Sequence, residues 1–161
     1  MEETATENQL LTFYCGAEVF AIDILKVKEI KEYTELTSIP LMPKAVQGVI
    51  NLRGQVLPII DLNIRFGRPA AKITRRTCII VVEISGNEEI SSIGILVDSV
   101  NEVVSVFQND IEQAPSFGSK IRNDFIQSIA KVNGKFIIIL NMEQVLSVEE
   151  LSRIDEKLKD A

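Results

Sequence analysis

At 161 residues, 46% hydrophobic and 25% charged, the chain has the make-up of an ordinary globular protein, one domain or two small lobes sharing a core. A net charge of −6 with no long Lys/Arg run argues against binding a phosphate backbone, and the absence of histidine removes the usual general base and the commonest metal ligand. The longest apolar runs, Cys78 to Val82 and Phe136 to Leu140, are far too short to span a bilayer, and the acidic start MEETATENQ is unlike a secretory signal, so the cytoplasm is the expected compartment.

In chain order, residues 1–9 read as a disordered tail. Leu10 to Cys15 and Val19 to Ile22 form a hairpin around Gly16-Ala17-Glu18, and Asp23 caps a turn containing Ile24 and Leu25. VKEIKEY, from Val27 to Tyr33, fits helix or strand; Glu35 to Ile39 reads as a short strand ending before Pro40 and Pro43. Val46 to Phe66, VQGVINLRGQVLPIIDLNIRF, is the central element: two apolar runs about Arg53-Gly54, with Gly54 supplying the positive φ of a tight reversal. Neighbouring apolar residues (Val49-Ile50, Ile59-Ile60) predict a hairpin covered on both faces, and Pro58 must turn its nitrogen away from a ladder. Asp61 caps a short helix stopped by Gly67 and Pro69. Gly67 to Arg76, polar and basic, joins the halves; Arg75-Arg76 is a docking patch or, the preferred reading, a solvated connection. Cys78 to Ile84 and Ile93 to Val97 form another hairpin, Val103 to Phe107 a further strand, and Ile126 to Leu146 a second central hairpin. Ser147 and Glu150 make a capping box, and Leu151, Ile154 and Leu158 form the apolar stripe of a closing helix over about 148–159.

The chain is internally duplicated. Ile126 to Leu146 aligns with Val46 to Phe66 without a gap, placing Gly134 on Gly54, Ile129 on Val49 and Asn141 on Asp61. FAIDILKVKEI (Phe20 to Ile30) likewise aligns with IGILVDSVNEV (Ile93 to Val103), and Pro40 with Pro115. A repeat of about 75 residues is too long for a solenoid unit and implies two lobes, about 10–68 and about 76–146, related by an approximate two-fold within one domain spanning 10–161. Lobes this small bury only about 60% of their unfolded surface, so they are expected to pack on each other. Short strands at close spacing make the fold class all-β, built of small barrels. The tips differ: Arg53 in the first lobe, Asn133 in the second.

Catalytic constellations are missing. Cys15 and Cys78 have no CxxC neighbour and read as buried free thiols, and the glycines form no phosphate-binding fingerprint. No enzyme, cofactor or metal site is expected. Surface recognition remains, and Val27, Glu29, Arg53 and Val100 are candidates because a charge beside exposed apolar groups marks many interfaces. From the pattern alone the preferred reading is that Val27 and Val100 are core and that Glu29 and Arg53 are merely solvated.

FAIDILKVKEI, VQGVINLRGQVLPIIDL, GILVDSVNEVVSV and NMEQVLS together resemble the CheW family of bacterial chemotaxis coupling proteins, over about Leu10 to Leu158. The resemblance implies two SH3-like five-stranded β-barrels and an adaptor that joins the cytoplasmic tips of chemoreceptors to the regulatory domain of the histidine kinase CheA. It implies no catalysis, no nucleic acid and no membrane insertion, only association with receptor arrays through partners. Carried over by motif, Val27, Glu29, Gly48 and Arg53 match receptor-coupling positions, and Val100 and Val103 match second-lobe positions for the kinase or another partner. Asn63 stands where the family often has another arginine. The alternative is an SH3-like interaction module of another signalling complex.

Overall fold

A computed structural model describes residues 7–86, 89–113 and 123–147. The first half supplies β1 (Glu7–Cys15), β2 (Glu18–Asp23), β3 (Val27–Glu32), β4 (Val46–Leu52), β5 (Gln55–Asp61) and a one-turn helix α1 (Leu62–Arg65). The second half supplies β6 (Cys78–Gly86), β7 (Glu89–Val97), β8 (Ser99–Phe107), β9 (Ile111–Glu112), β10 (Ile126–Val132), β11 (Lys135–Leu140) and the one-turn α2 (Met142–Val145). The architecture is all-β, two SH3-like barrels, as expected, but only one sheet has the five strands the resemblance implies; the other has six because the short β9 adds to its edge.

Local details differ from the sequence reading. Glu7, Asn8 and Gln9 are strand rather than tail, because they pair with Phe107, Val106 and Ser105 of β8. Val27 to Glu32 of the ambiguous VKEIKEY segment is strand: its residues alternate between half-buried and exposed along one edge of β6. The strand expected over Glu35 to Ile39 shrinks to one bridge, Thr37 to Val49. Pro115, Glu150 and the closing helix at 148–159 lie outside the described residues.

The larger difference is topological. One sheet runs β8-β1-β2-β11-β10-β9 and the other β3-β6-β7-β5-β4. The β1–β2 hairpin of the first half therefore lies in the second half's sheet, and the β6–β7 hairpin in the first half's. The boundary at residues 68 to 76 does not separate the barrels. The exchange was illegible because both halves share one hydrophobic pattern, so a hairpin matches either sheet equally well.

The exchange is itself symmetric. Ile59 pairs in parallel with Gly94, and Ile139 with Ala21, matching positions of the two repeats. Both central hairpins shift register at matching points, between Val46 and Gly48 and between Ile126 and Ser128. The parallel ladder from β5 to β7 takes only Ile59 to Asp61, so Pro58, which has no N–H, stands just outside it.

Alternating strand residues divide among three cores. Ile79 and Val81 of β6, with Ile50, Leu57 and Ile59, fill the five-stranded barrel. Leu10, Ala21, Val106, Ala130 and Ile139 fill the six-stranded one. Ile80, Val82, Ile60, Leu11, Phe13, Phe20, Ile22 and Leu140 face the opposite way, into the largest cluster, 19 buried residues shared by both sheets. Strands buried on both faces explain the unbroken run CIIVV and the Ile137 to Leu140 part of FIIIL.

Candidate interaction surfaces

The charged tip is held in an unusual backbone state. Arg53 (φ 51°) and Gly54 (φ 87°) are both left-handed, as are Asn133 (φ 52°) and Gly134 (φ 79°) at the matching turn. Two positive φ values define the hairpin turn whose preferred first residue is asparagine, which Asn133 supplies. Only the glycine's positive φ was legible in the sequence. Arg53 occupies a conformation that costs a typical L-residue about 1 kcal/mol. The Asn51 side chain braces the turn by accepting from the Gly54 N–H at 2.9 Å.

From that turn the Arg53 guanidinium reaches β3, where its Nη1 donates to Glu29 Oε2 at 2.7 Å. The arginine side chain is 71% exposed and the carboxylate 23%, so the pair is a surface ion pair worth at most about 1 kcal/mol. Val27, two residues before Glu29, is half-buried against the shared core. Ile30, the next residue after Glu29, is 43% exposed. Two of the four receptor-coupling candidates thus touch and a third lies on the same strand.

Gly48 is different. It is buried, with φ 152°, and a Cβ there would stand 2.5 Å from the Thr37 carbonyl oxygen. Its missing side chain lets the 36–37 segment close against β4, which gives this position a packing role.

The second barrel repeats the arrangement with other chemistry. Val100 and Val103 lie on β8, the edge strand matching β3. Val100 is half-buried against the shared core, as Val27 is, and Val103 is 49% exposed, like its counterpart Ile30. Val56 and Phe136, another matched pair just beyond the two turns, are 60% and 63% exposed. Each barrel therefore presents an edge strand and a hairpin tip with exposed apolar groups, but only the first carries the Arg53–Glu29 pair.

Several polar residues fix how the parts sit. Asp61 is buried and accepts from the Asn63 N–H at 2.8 Å and the Ala71 N–H at 3.0 Å. Asn63, buried, donates to Asp98, so it serves the interior and not the surface. Arg65 Nε donates to the Val145 carbonyl at 2.6 Å, joining α1 to α2, and Lys26 pairs with Glu143. Arg68 pairs with Glu18 and lies 5.9 and 5.8 Å from the Phe20 and Phe66 ring centres. An arginine in a short helix carries no pattern that announces such contacts.

Cys15 and Cys78 are free thiols. Burial pushes the Cys15 thiol far up, with Asp98 and Asp61 adding to it, so it stays protonated and unreactive. No cluster of metal-ligating side chains occurs among the described residues, and no described helix is long and apolar enough to cross a membrane.

Paired SH3-like barrels with open edge strands and exposed hairpin tips suit a scaffold, a protein whose work is holding other proteins. The CheW-like domain family matches residues 9–150, so the chain belongs to the CheW family of chemotaxis scaffold proteins, which are not enzymes. It is 33% identical to the chemotaxis protein CheW of Klebsiella aerogenes over 94% of this chain and 89% of that one. It is 36% identical to that of Helicobacter pylori over 90% and 85%. The crystal structure of the scaffolding protein TtCheW from Thermoanaerobacter tengcongensis superposes with a TM-score of 0.81 at 34% identity, covering 90% of this chain and 96% of that chain.

Proposed function

We propose that this chain is a cytoplasmic adaptor that couples the cytoplasmic tips of chemoreceptors to the regulatory domain of the histidine kinase CheA. The supporting observation is that matching places on the two barrels carry different chemistry, an ion pair on one and apolar groups with Asn133 on the other. An adaptor holding two partners at once needs two separate surfaces of this kind. The β3 edge and the Arg53 turn, with Val27 and Glu29, serve the receptor, and Gly48 sets the course of β4 beneath them. The β8 edge, with Val100 and Val103, serves the kinase. Membrane-bound arrays are reached through these partners.

Separate titrations test this. Arg53→Glu should weaken binding to a receptor cytoplasmic fragment and leave the dissociation constant for CheA in place; Val103→Asp should do the reverse. Equal loss of both partners by both variants would overturn the two-surface assignment, and wild-type protein that binds neither would overturn the coupling role.

A further inference from the structure

The connection between the halves holds an ordered basic loop over a cavity, and neither belongs to the surfaces described above. The loop is fixed by threonines: the Thr74 N–H donates to Thr77 Oγ1 at 2.8 Å, the Arg76 N–H donates to Thr74 Oγ1 at 3.1 Å, and Thr77 is buried. This brace presents Lys72, Ile73, Arg75 and Arg76 to solvent, with Ile73 half exposed. The three cations make no ion pair with any described residue. Beside Lys72 opens a cavity of about 460 Å³, lined by Pro69, Ala70, Ala71, Lys72 and Thr74 from the loop and by Asp98 across it. Its charged floor is already occupied: Arg68 is held by Glu18 and the Cys15 carbonyl, and Asp98 accepts from the Gly16 N–H and Asn63.

What this place offers a ligand is a small, mostly apolar recess with Lys72 in its wall and the exposed Arg75 and Arg76 following in the same loop. Without Lys72, Arg75 and Arg76 the chain has 14 basic against 23 acidic residues, a net charge of −9. A long polyanion such as nucleic acid, or an anionic membrane, would meet that acidic remainder and be repelled. A short segment confined to the loop would not, and Ile73 among the cations suits a peptide carrying an apolar group. We propose that this loop and cavity form a docking site for a short acidic peptide segment of a partner protein, one apolar side chain entering the recess while flanking carboxylates meet Lys72, Arg75 and Arg76.

The probe is a fluorescent peptide, acetyl-Asp-Glu-Leu-Glu-Asp-amide, titrated with the full chain at low ionic strength. Saturable binding is expected, weakening as salt screens the exposed charges. Reversing Lys72 or the Arg75/Arg76 pair to glutamate should lower affinity up to about fivefold per charge. Ala70→Trp, which blocks the recess without touching charge, should lower it as well, as should alanine in place of the peptide's leucine. Circular dichroism melts confirm that each variant is folded; the single Lys72→Glu change stands in if the double variant is not. Absence of saturable binding overturns the proposal. So does indifference to both Ala70→Trp and the leucine, or tighter binding of an oligonucleotide or of phosphatidylserine vesicles than of the peptide.

Discussion

Replacing Arg53 separates a structural arginine from a recognition arginine, because the two losses have different sizes here. Arg53→Asn keeps the turn and improves it: asparagine tolerates the left-handed φ of 51° that strains arginine, a gain of up to about 1 kcal/mol. The same change removes the ion pair to Glu29, which at 71% exposure on the arginine side costs at most about 1 kcal/mol. The terms offset, so stability should stay within about 0.5 kcal/mol. That corresponds to a melting-temperature change of at most about 2 °C for a chain of this size. At an interface the same side chain contributes on the order of 2 kcal/mol, roughly thirtyfold in affinity. Receptor-dependent kinase activation should therefore collapse while the thermal melt is unmoved. Glu29→Gln is the control. It breaks the ion pair but leaves the arginine in place, and should cost coupling only in part. A melt several degrees lower for Arg53→Asn with kinase activation intact would refute the reasoning and make the arginine a brace.

Gly48→Ala should be strongly destabilising, by about 2 to 3 kcal/mol in urea unfolding, since it adds a Cβ 2.5 Å from the Thr37 carbonyl at a positive φ; a loss below about 0.5 kcal/mol would show that the 36–37 segment moves freely. Gly94→Ala places a Cβ 2.4 Å from Ile59 Cδ1 and should cost about 1 to 3 kcal/mol, a loss that Ile59→Val partly restores by deleting that methyl; simple additivity of the two changes would count against the parallel β5–β7 contact. For Glu143, burial alone would raise the carboxyl, but the hydrogen bond and charge of Lys26 outweigh it and the net shift is downward. A depressed folded value means stability present above the ordinary value of 4.5 and lost as pH falls through the folded one, so the stability gap between wild type and Lys26→Met should close below that pH; a constant gap would mean the two residues are uncoupled.

The parts of this fold carried by local pattern were legible from the chain. Val49-Ile50 and Ile59-Ile60 announced strands buried on both faces; Asp61 and Asn141 announced helix caps, and both cap as expected. The duplication predicted matched turns, and the φ values at Arg53 and Asn133 agree to within a degree. What stayed hidden depends on pairings across long sequence distances. Nothing in the pattern distinguishes β2 beside β11 from β2 beside a strand of its own half. Spacing alone likewise could not bring Glu29 to Arg53, 24 residues apart, although both were candidates separately. Gly48 was singled out by motif, but its packing role required the position of Thr37.

The hairpin exchange bears directly on how a scaffold works. Two barrels joined only by the 67–76 connection would swivel, and partners held on separate barrels would have no fixed relation to each other. Here each sheet contains a hairpin from the other half, and the largest core belongs to both sheets. Turning one barrel against the other would open the 19 buried residues of that core to water and strain the two short crossings of the chain between the sheets, from Asp23 to Val27 and from Val97 to Ser99. A polar tie runs the same way: Arg65 holds α1, which follows β5, to α2, which follows β11. Independent motion of the barrels therefore costs much of the free energy of unfolding. The spacing between the Arg53 turn and the β8 edge is therefore set by the shared core, and two partners bound there as proposed would be held at a fixed separation.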